Sequence, residues 1–266
     1  MEGIHGGVLM QGIDWAAYDH FGLAAIVLAG TLVASWILSA FIFSEKNRTF
    51  LHSIRGVAPP FINIIGTLFA LTLAFLANDT WSAHDRATNA VYREADSLKA
   101  ILSLTLELPE AERTAVHGAV ADYARSAVEA EWPLLSHRQA DPGTAARLDR
   151  LLILVSKKEV GEELGLAVHT RVHVQVGEVR DSRDQRIALS QTHVNPLKWL
   201  GMAFLGFVTM LSVAAVHVEQ PRAALVAILL FAAAAAPTAA IVLVQGNPFQ
   251  QPTTVSPAPI IAVYAK

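Results

Sequence analysis

The sequence predicts an all-α integral membrane protein, with four transmembrane helices and a helical extramembrane domain inserted between the second and third. Three observations carry that fold class. Only 16% of the 266 residues are charged and 53% are hydrophobic, whereas about 25% of an average soluble domain is charged. Residues 21–43, 60–77, 199–218 and 223–244 contain no charged side chain, and about 20 apolar residues suffice to cross a hydrocarbon core. Of the charged residues, 32 lie within residues 78–196, so the polar part is one continuous insert.

The same composition excludes several functions. A formal net charge of −3 lacks the basic excess that nucleic-acid binding needs, so no nucleic-acid partner is expected. The absence of cysteine rules out a disulfide scaffold, a thiol nucleophile and a thiolate metal site. No phosphate-binding glycine loop, no nucleophile elbow and no H-E-x-x-H run occurs, so neither an enzyme nor a cofactor is expected.

The elements follow in chain order. The first span is too long for a signal-peptide core, and the tail before it has acids but no Lys or Arg, so it is expected to remain in the mature protein. Pro59 and Pro60 suit a first helical turn, where a missing N–H costs nothing. No linker follows Ala77, so the second membrane helix should run unbroken into the polar insert. There, Val91, Ala95, Leu98 and Leu102 keep a helical spacing, as do Val116, Val120, Tyr123 and Ala127 after a break at Leu108 and Pro109. The sequence Asp141-Pro142-Gly143-Thr144 reads as a turn before a helix ending near Val155, and a last helix covers residues 159 to about 191. Asn195 followed by Pro196 reads as an N-cap and a first helical position, with Lys198 and Trp199 as interface anchors. Ala232 to Ala236 and the pair Gly30 and Ala34 are small patches that allow close helix approach, and Pro237 should bend its helix. Pro248, Pro252, Pro257 and Pro259 predict an extended tail. The expected division is therefore residues 1–77 (tail and two spans), 78–196 (helical domain), 197–246 (two spans) and 247–266 (tail).

Two constellations could carry function. His169 and His173 stand at i and i+4 and could share a metal with a carboxylate such as Glu178, although a solvated or packing pair is the ordinary reading. Thr67, Leu71, Phe75 and Asp79 also step by four, which sets them on one slowly drifting stripe of the second span. Facing a symmetry axis, Leu71 and Phe75 would form an apolar constriction with Asp79 as a charged ring at its mouth. Ordinary helix packing satisfies the same spacing.

The stretch Pro60-Phe61, Gly66, Leu73-Ala74-Phe75, Asn78, Trp81 and Arg86 resembles the bestrophin channel pattern. The whole chain resembles the bacterial bestrophin-like family of unknown function, through Phe75 to Trp81, Asn195 with Lys198-Trp199, His217, Asn247-Pro248-Phe249 and Val255-Ser256-Pro257. The resemblance implies a homopentamer with the second helix lining a pore, a neck at Thr67, Leu71 and Phe75, and Asn78 just beyond it. Here the first neck position is a hydroxyl residue, Ala74 stands where the pattern has glycine, and Asp79 adds an acid.

Two functional expectations follow. The first is an oligomeric ion channel in the cell inner membrane, multi-pass, with lipid and inorganic ions as partners. Its pore mouth would carry Asn78, Asp79 and, seven residues further, Arg86, giving a weak cation preference. The alternative is a membrane-anchored helical sensor or scaffold that conducts nothing. Charges in the short loops favour an extracytoplasmic insert, while the bestrophin resemblance favours a cytoplasmic one.

Overall fold

The computed structural model describes residues 19–53, 58–191, 196–217 and 219–265. Among them every regular element is a helix: α1 (Asp19–Phe43), α2 (Arg48–Ser53), α3 (Ala58–Leu104), α4 (Glu110–Ser126), α5 (Trp132–Ser136), α6 (Pro142–Val155), α7 (Lys158–Ser190), α8 (Pro196–Val216), α9 (Pro221–Val244) and α10 (Ala258–Tyr264). Asn195, the expected N-cap, lies outside the described residues. Contacts divide these into two compact units, one of residues up to 78 and from 196 to 246, the other of residues 79–191 and 247–265.

Among the described residues four helices are long and apolar enough to cross a membrane, α1, α3, α8 and α9, and the first unit holds α1, α8, α9 and the part of α3 up to Asn78. α3 and α8 begin with their prolines in the first turn, where no N–H is required. α1 lies along α9, which also receives α8. Two small cores hold them together, one around Leu38, Met210 and Ile228, the other around Leu76, Ala77, Met202 and Ala239. Ala232 and Ala236 are buried one turn apart, so the alanine run does admit a close neighbour. α9 continues through Pro237. Many large apolar side chains point outward, Trp36 at 71% exposure among them. In lipid this costs nothing, because hydrocarbon outside is as apolar as the protein.

α3 is one helix of 47 residues, about 70 Å long at 1.5 Å per residue, as the missing linker after Ala77 predicts. Its second half joins the polar unit, whose core gathers Val91, Leu98, Val120, Tyr123, Leu148, Leu151 and Val176. Asp141 accepts hydrogen bonds from the backbone N–H (2.7 Å) and hydroxyl (2.8 Å) of Thr144, so the expected turn is the N-cap of α6, with Pro142 in its first turn. That cap supplies an acceptor for a donor the helix leaves unmatched. In α7, Val172 and Val176 are buried while Val174 is half exposed, the helical rather than the strand pattern. α7 kinks at Gly165, whose φ of 70° and ψ of 160° lie in a region essentially open only to glycine.

Two features depart from expectation. Between α4 and α5 the chain opens into a π-helical turn, Ala127–Glu131, directly before Trp132 and Pro133. Pro133 has no N–H to donate, and a widened turn is one way a helix passes such a residue. The tail, expected to be extended, ends in the seven-residue helix α10. Pro257 and Pro259 sit where that helix starts, which prolines tolerate, and Ile260 and Val263 then bury one side of the turn against the core that includes α4. The rest of the tail is fastened by polar contacts: Asn247 Nδ2 donates to the Leu135 carbonyl (3.2 Å), its Oδ1 accepts from the Phe249 N–H (2.9 Å), and Gln250 Nε2 donates to the Ser136 carbonyl (2.9 Å). The Phe249 ring stands edge-on to Trp132 at 5.4 Å.

Candidate functional site

In a chain that crosses a bilayer, the informative face is the one its own helices leave uncovered. On α3 that face carries Thr67, Leu71, Phe75, Asn78 and Asp79, all exposed, with Leu71 at 50% and Phe75 at 69%. Phe61 and Ile64 extend it toward the start of the helix and, like Leu68 next to Thr67, are uncovered. Spacing places these residues on one stripe because four residues turn a helix by about 400°. The opposite side is held by Leu76 and Ala77, buried against Met202 and Ala239, which sets the rotational phase of α3 and turns the stripe outward. Thr67 spends its hydroxyl on the Asn63 carbonyl at 2.7 Å, so it presents mainly its methyl group. Arg86 is exposed further along the same helix, in the polar unit.

The histidine pair does come together. His173 Nε2 lies 3.2 Å from His169 Nε2, and the latter is 2.8 Å from the Val155 carbonyl. No third His, Cys, Asp or Glu joins them among the described residues, so Glu178 does not complete the metal set considered from spacing. Burial, together with the neighbouring His169, lowers the His173 pKa below the ordinary imidazole value. Burial also lowers that of His117, with Arg113 adding to it and a backbone hydrogen bond to Leu102 opposing it. A depressed folded-state value keeps both rings neutral, so their contribution to stability is complete above about pH 6.5 and is lost as pH falls through the folded values. The thermal midpoint should therefore drop between about pH 7 and pH 5, and by less in a His117→Gln/His173→Gln variant. An equal drop in both proteins would assign the pH dependence to other groups.

The most elaborate polar arrangement lies in the polar unit and was not anticipated from sequence. Glu94 of α3, Glu131 of the π-turn and Arg186 of α7 are fully buried, and Arg183 nearly so. Arg186 grips Glu94 with two bonds (Nε at 2.9 Å, Nη2 at 3.1 Å) and reaches Glu131 at 3.0 Å. Arg183 donates to both oxygens of Glu131 and to the Asp141 carbonyl. Tyr123 donates its hydroxyl hydrogen to Glu94 at 2.7 Å, and the Trp132 ring faces the Arg186 guanidinium at 5.3 Å. Two acids and two arginines balance. Burial would lower the Arg186 pKa, but Glu94, Tyr123 and Glu131 outweigh it and raise the value, so the guanidinium is locked in its charged form. Burial and the Glu94 charge push the Tyr123 phenol well above its usual pKa. The legible signal was phase. Val172, Val176, Val179, Arg183, Arg186 and Ser190 form one buried face of α7, and Glu94 sits between Val91 and Leu98 on the buried face of α3. Charges at apolar positions must find partners, but sequence does not say which.

Four uncharged spanning helices, an uncovered apolar stripe on the second and a packed helical unit with an ionic centre define a polytopic α-helical membrane protein. A bestrophin-like domain model matches residues 25–260. The chain belongs to the bestrophin-like family. Crystal structures of variants of a bacterial bestrophin homologue from Klebsiella pneumoniae share the fold. One has a TM-score of 0.64 at 13% identity, covering 91% of this chain and 96% of its own, and another 0.62 at 14% identity, covering 93% and 99%. A structure described as a membrane protein gives 0.65 at 11% identity, covering 90% and 99%. No curated protein matches the chain.

Proposed function

We propose that this protein is an oligomeric ion channel in the inner membrane, with α3 helices from several copies lining a shared pore, five by the bestrophin resemblance. The observation that carries the reading is the uncovered stripe: Leu71 and Phe75 project from a helix whose other side is already packed. The membrane unit holds hydrocarbon in both its cores, so an ion path has to lie between copies rather than within one. Around such an axis Thr67, Leu71 and Phe75 form a neck that closes by excluding water, and Asn78 and Asp79 form polar rings beyond it. Arg86, two turns past Asp79, offsets the acid, which leaves a weak preference for cations.

Purified protein reconstituted into planar bilayers is expected to conduct, with Phe75→Ala raising the open conductance or abolishing closure. Bilayers that stay silent across several ions and voltages would overturn the proposal and leave a membrane-anchored helical module. For orientation, we read the polar unit as cytoplasmic, because bestrophin membership weighs more than a few loop charges and long domains cross largely regardless of charge. Green fluorescent protein fused after Lys266 should then fluoresce, whereas an alkaline phosphatase fusion that is active there would reverse the assignment.

A further inference from the structure

The histidine pair of α7 has no part in conduction. His169 and His173 stand one turn apart, past the kink at Gly165, and their rings meet edge to face with centroids 4.6 Å apart. The facing atoms are the two Nε2 nitrogens, at 3.2 Å. A third donor comes from a different element. The Val155 carbonyl oxygen lies 2.8 Å from His169 Nε2 and belongs to the last turn of α6, where carbonyls have no partner inside the helix. Gly161 makes room at this corner, since a Cβ there would come within 3.1 Å of His169 Cε1. Both imidazoles are half-buried, so solvent still reaches them.

Hydrogen alone does not satisfy these three atoms. A carbonyl only accepts, and an imidazole nitrogen carries at most one hydrogen. If His169 Nε2 donates to Val155, it has no lone pair left for His173. If it accepts from His173, it faces the Val155 oxygen at 2.8 Å with no hydrogen between them. In either tautomer one close contact lacks a hydrogen directed along it. A cation removes the conflict, because it takes a lone pair from each of the three atoms. The spacing suits one. Donors bound at about 2.0–2.2 Å, with angles between a right angle and the tetrahedral value, stand about 2.8–3.5 Å from each other, and both measured distances fall in that range. Two imidazoles select a borderline transition metal over calcium or magnesium, which take oxygen ligands. Burial and the neighbouring His169 favour the neutral His173 ring, the form in which imidazole ligates.

We propose that His169 Nε2, His173 Nε2 and the Val155 carbonyl bind one divalent transition-metal ion of the zinc or copper class, which staples α7 to the end of α6. Among the described residues no further His, Cys, Asp or Glu joins the set, so water completes the coordination. The inference is independent of conduction and holds for a silent protein as well.

The test uses the full-length protein without a polyhistidine tag, stripped with a chelator and dialysed against Zn2+. One equivalent is expected to bind, and the thermal midpoint should rise with Zn2+, as it does for a ligand of the folded state. His169→Gln and, separately, His173→Gln should weaken binding at least about tenfold, because a lone imidazole loses the effective concentration of its neighbour. His84→Gln, on α3, should leave binding unchanged. Cu2+ added to the unmodified protein should give an electron paramagnetic resonance spectrum with coupling to two imidazole nitrogens, a readout that needs no variant. Zn2+ binding that is absent, or that survives either substitution at His169 or His173, overturns the proposal. So does a Cu2+ spectrum without two coupled nitrogens.

Discussion

Replacing Arg186 by methionine should destabilise the polar unit by about 3–5 kcal/mol, because removing one partner strands a buried charge. Glu94 would keep only the Tyr123 hydroxyl, and Glu131 would keep Arg183. The expected readout is a large fall in thermal midpoint, followed through the fluorescence of Trp132, whose ring faces the guanidinium. Adding Glu94→Gln to Arg186→Met removes the stranded carboxylate and should recover part of the loss. A double variant as unstable as the sum of the two single variants would mean that the pair is not coupled. The expectation concerns breaking the pair. Exchanging the whole network for well-packed apolar side chains can be neutral or stabilising, so the four charges specify which helices meet more than they raise net stability. Glu94 lies on α3, Glu131 on the π-turn and both arginines on α7, and each carboxylate accepts only the arginines that geometry presents to it.

Single cysteines at Leu71 and Phe75 should form disulfide-linked copies in high yield in membranes, while one at Trp36 should not. The native chain has no cysteine, so every crosslink reports the introduced site. Phe75 and Trp36 are almost equally exposed, at 69% and 71%, so exposure does not separate them. A pore requires the stripe of α3 from different copies to converge, and nothing in the proposal brings the Trp36 positions together. Crosslinking that is equal at all three sites, or absent from Leu71 and Phe75, would point to a stripe bathed in lipid and remove the permeation account. Particle images would give the same answer independently, as a ring with a central hole or as a closed monomer or dimer.

The membrane helices were legible because hydropathy over some 20 residues is a local property, and the prolines that start α3 and α8 mark their own positions. Phase was equally local in the polar unit, where Val91, Ala95 and Leu98 are all buried as their spacing requires. The tail misled because proline was read only as a helix breaker. Pro259 stands in the first turn of α10, where its ring is compatible with the helix, and the apolar pair Ile260 and Val263 decides that the turn is worth forming. The π-turn was hidden because it is a response to Pro133 within a helical pattern that looks continuous from Val116 to Glu131.

Hydropathy, charge distribution and helical phase in this chain determine four membrane crossings, a polar helical insert and a stripe with an acid at its end. They do so because each is a property of neighbours along one helix. Which way that stripe turns was decided only by tertiary packing, when Leu76 and Ala77 took the inner face of α3. The pairing of Glu94 with Arg186, 92 positions apart, was decided the same way. A charge at a buried position announces that it needs a counterion, but only the folded arrangement of helices brings a particular one within reach.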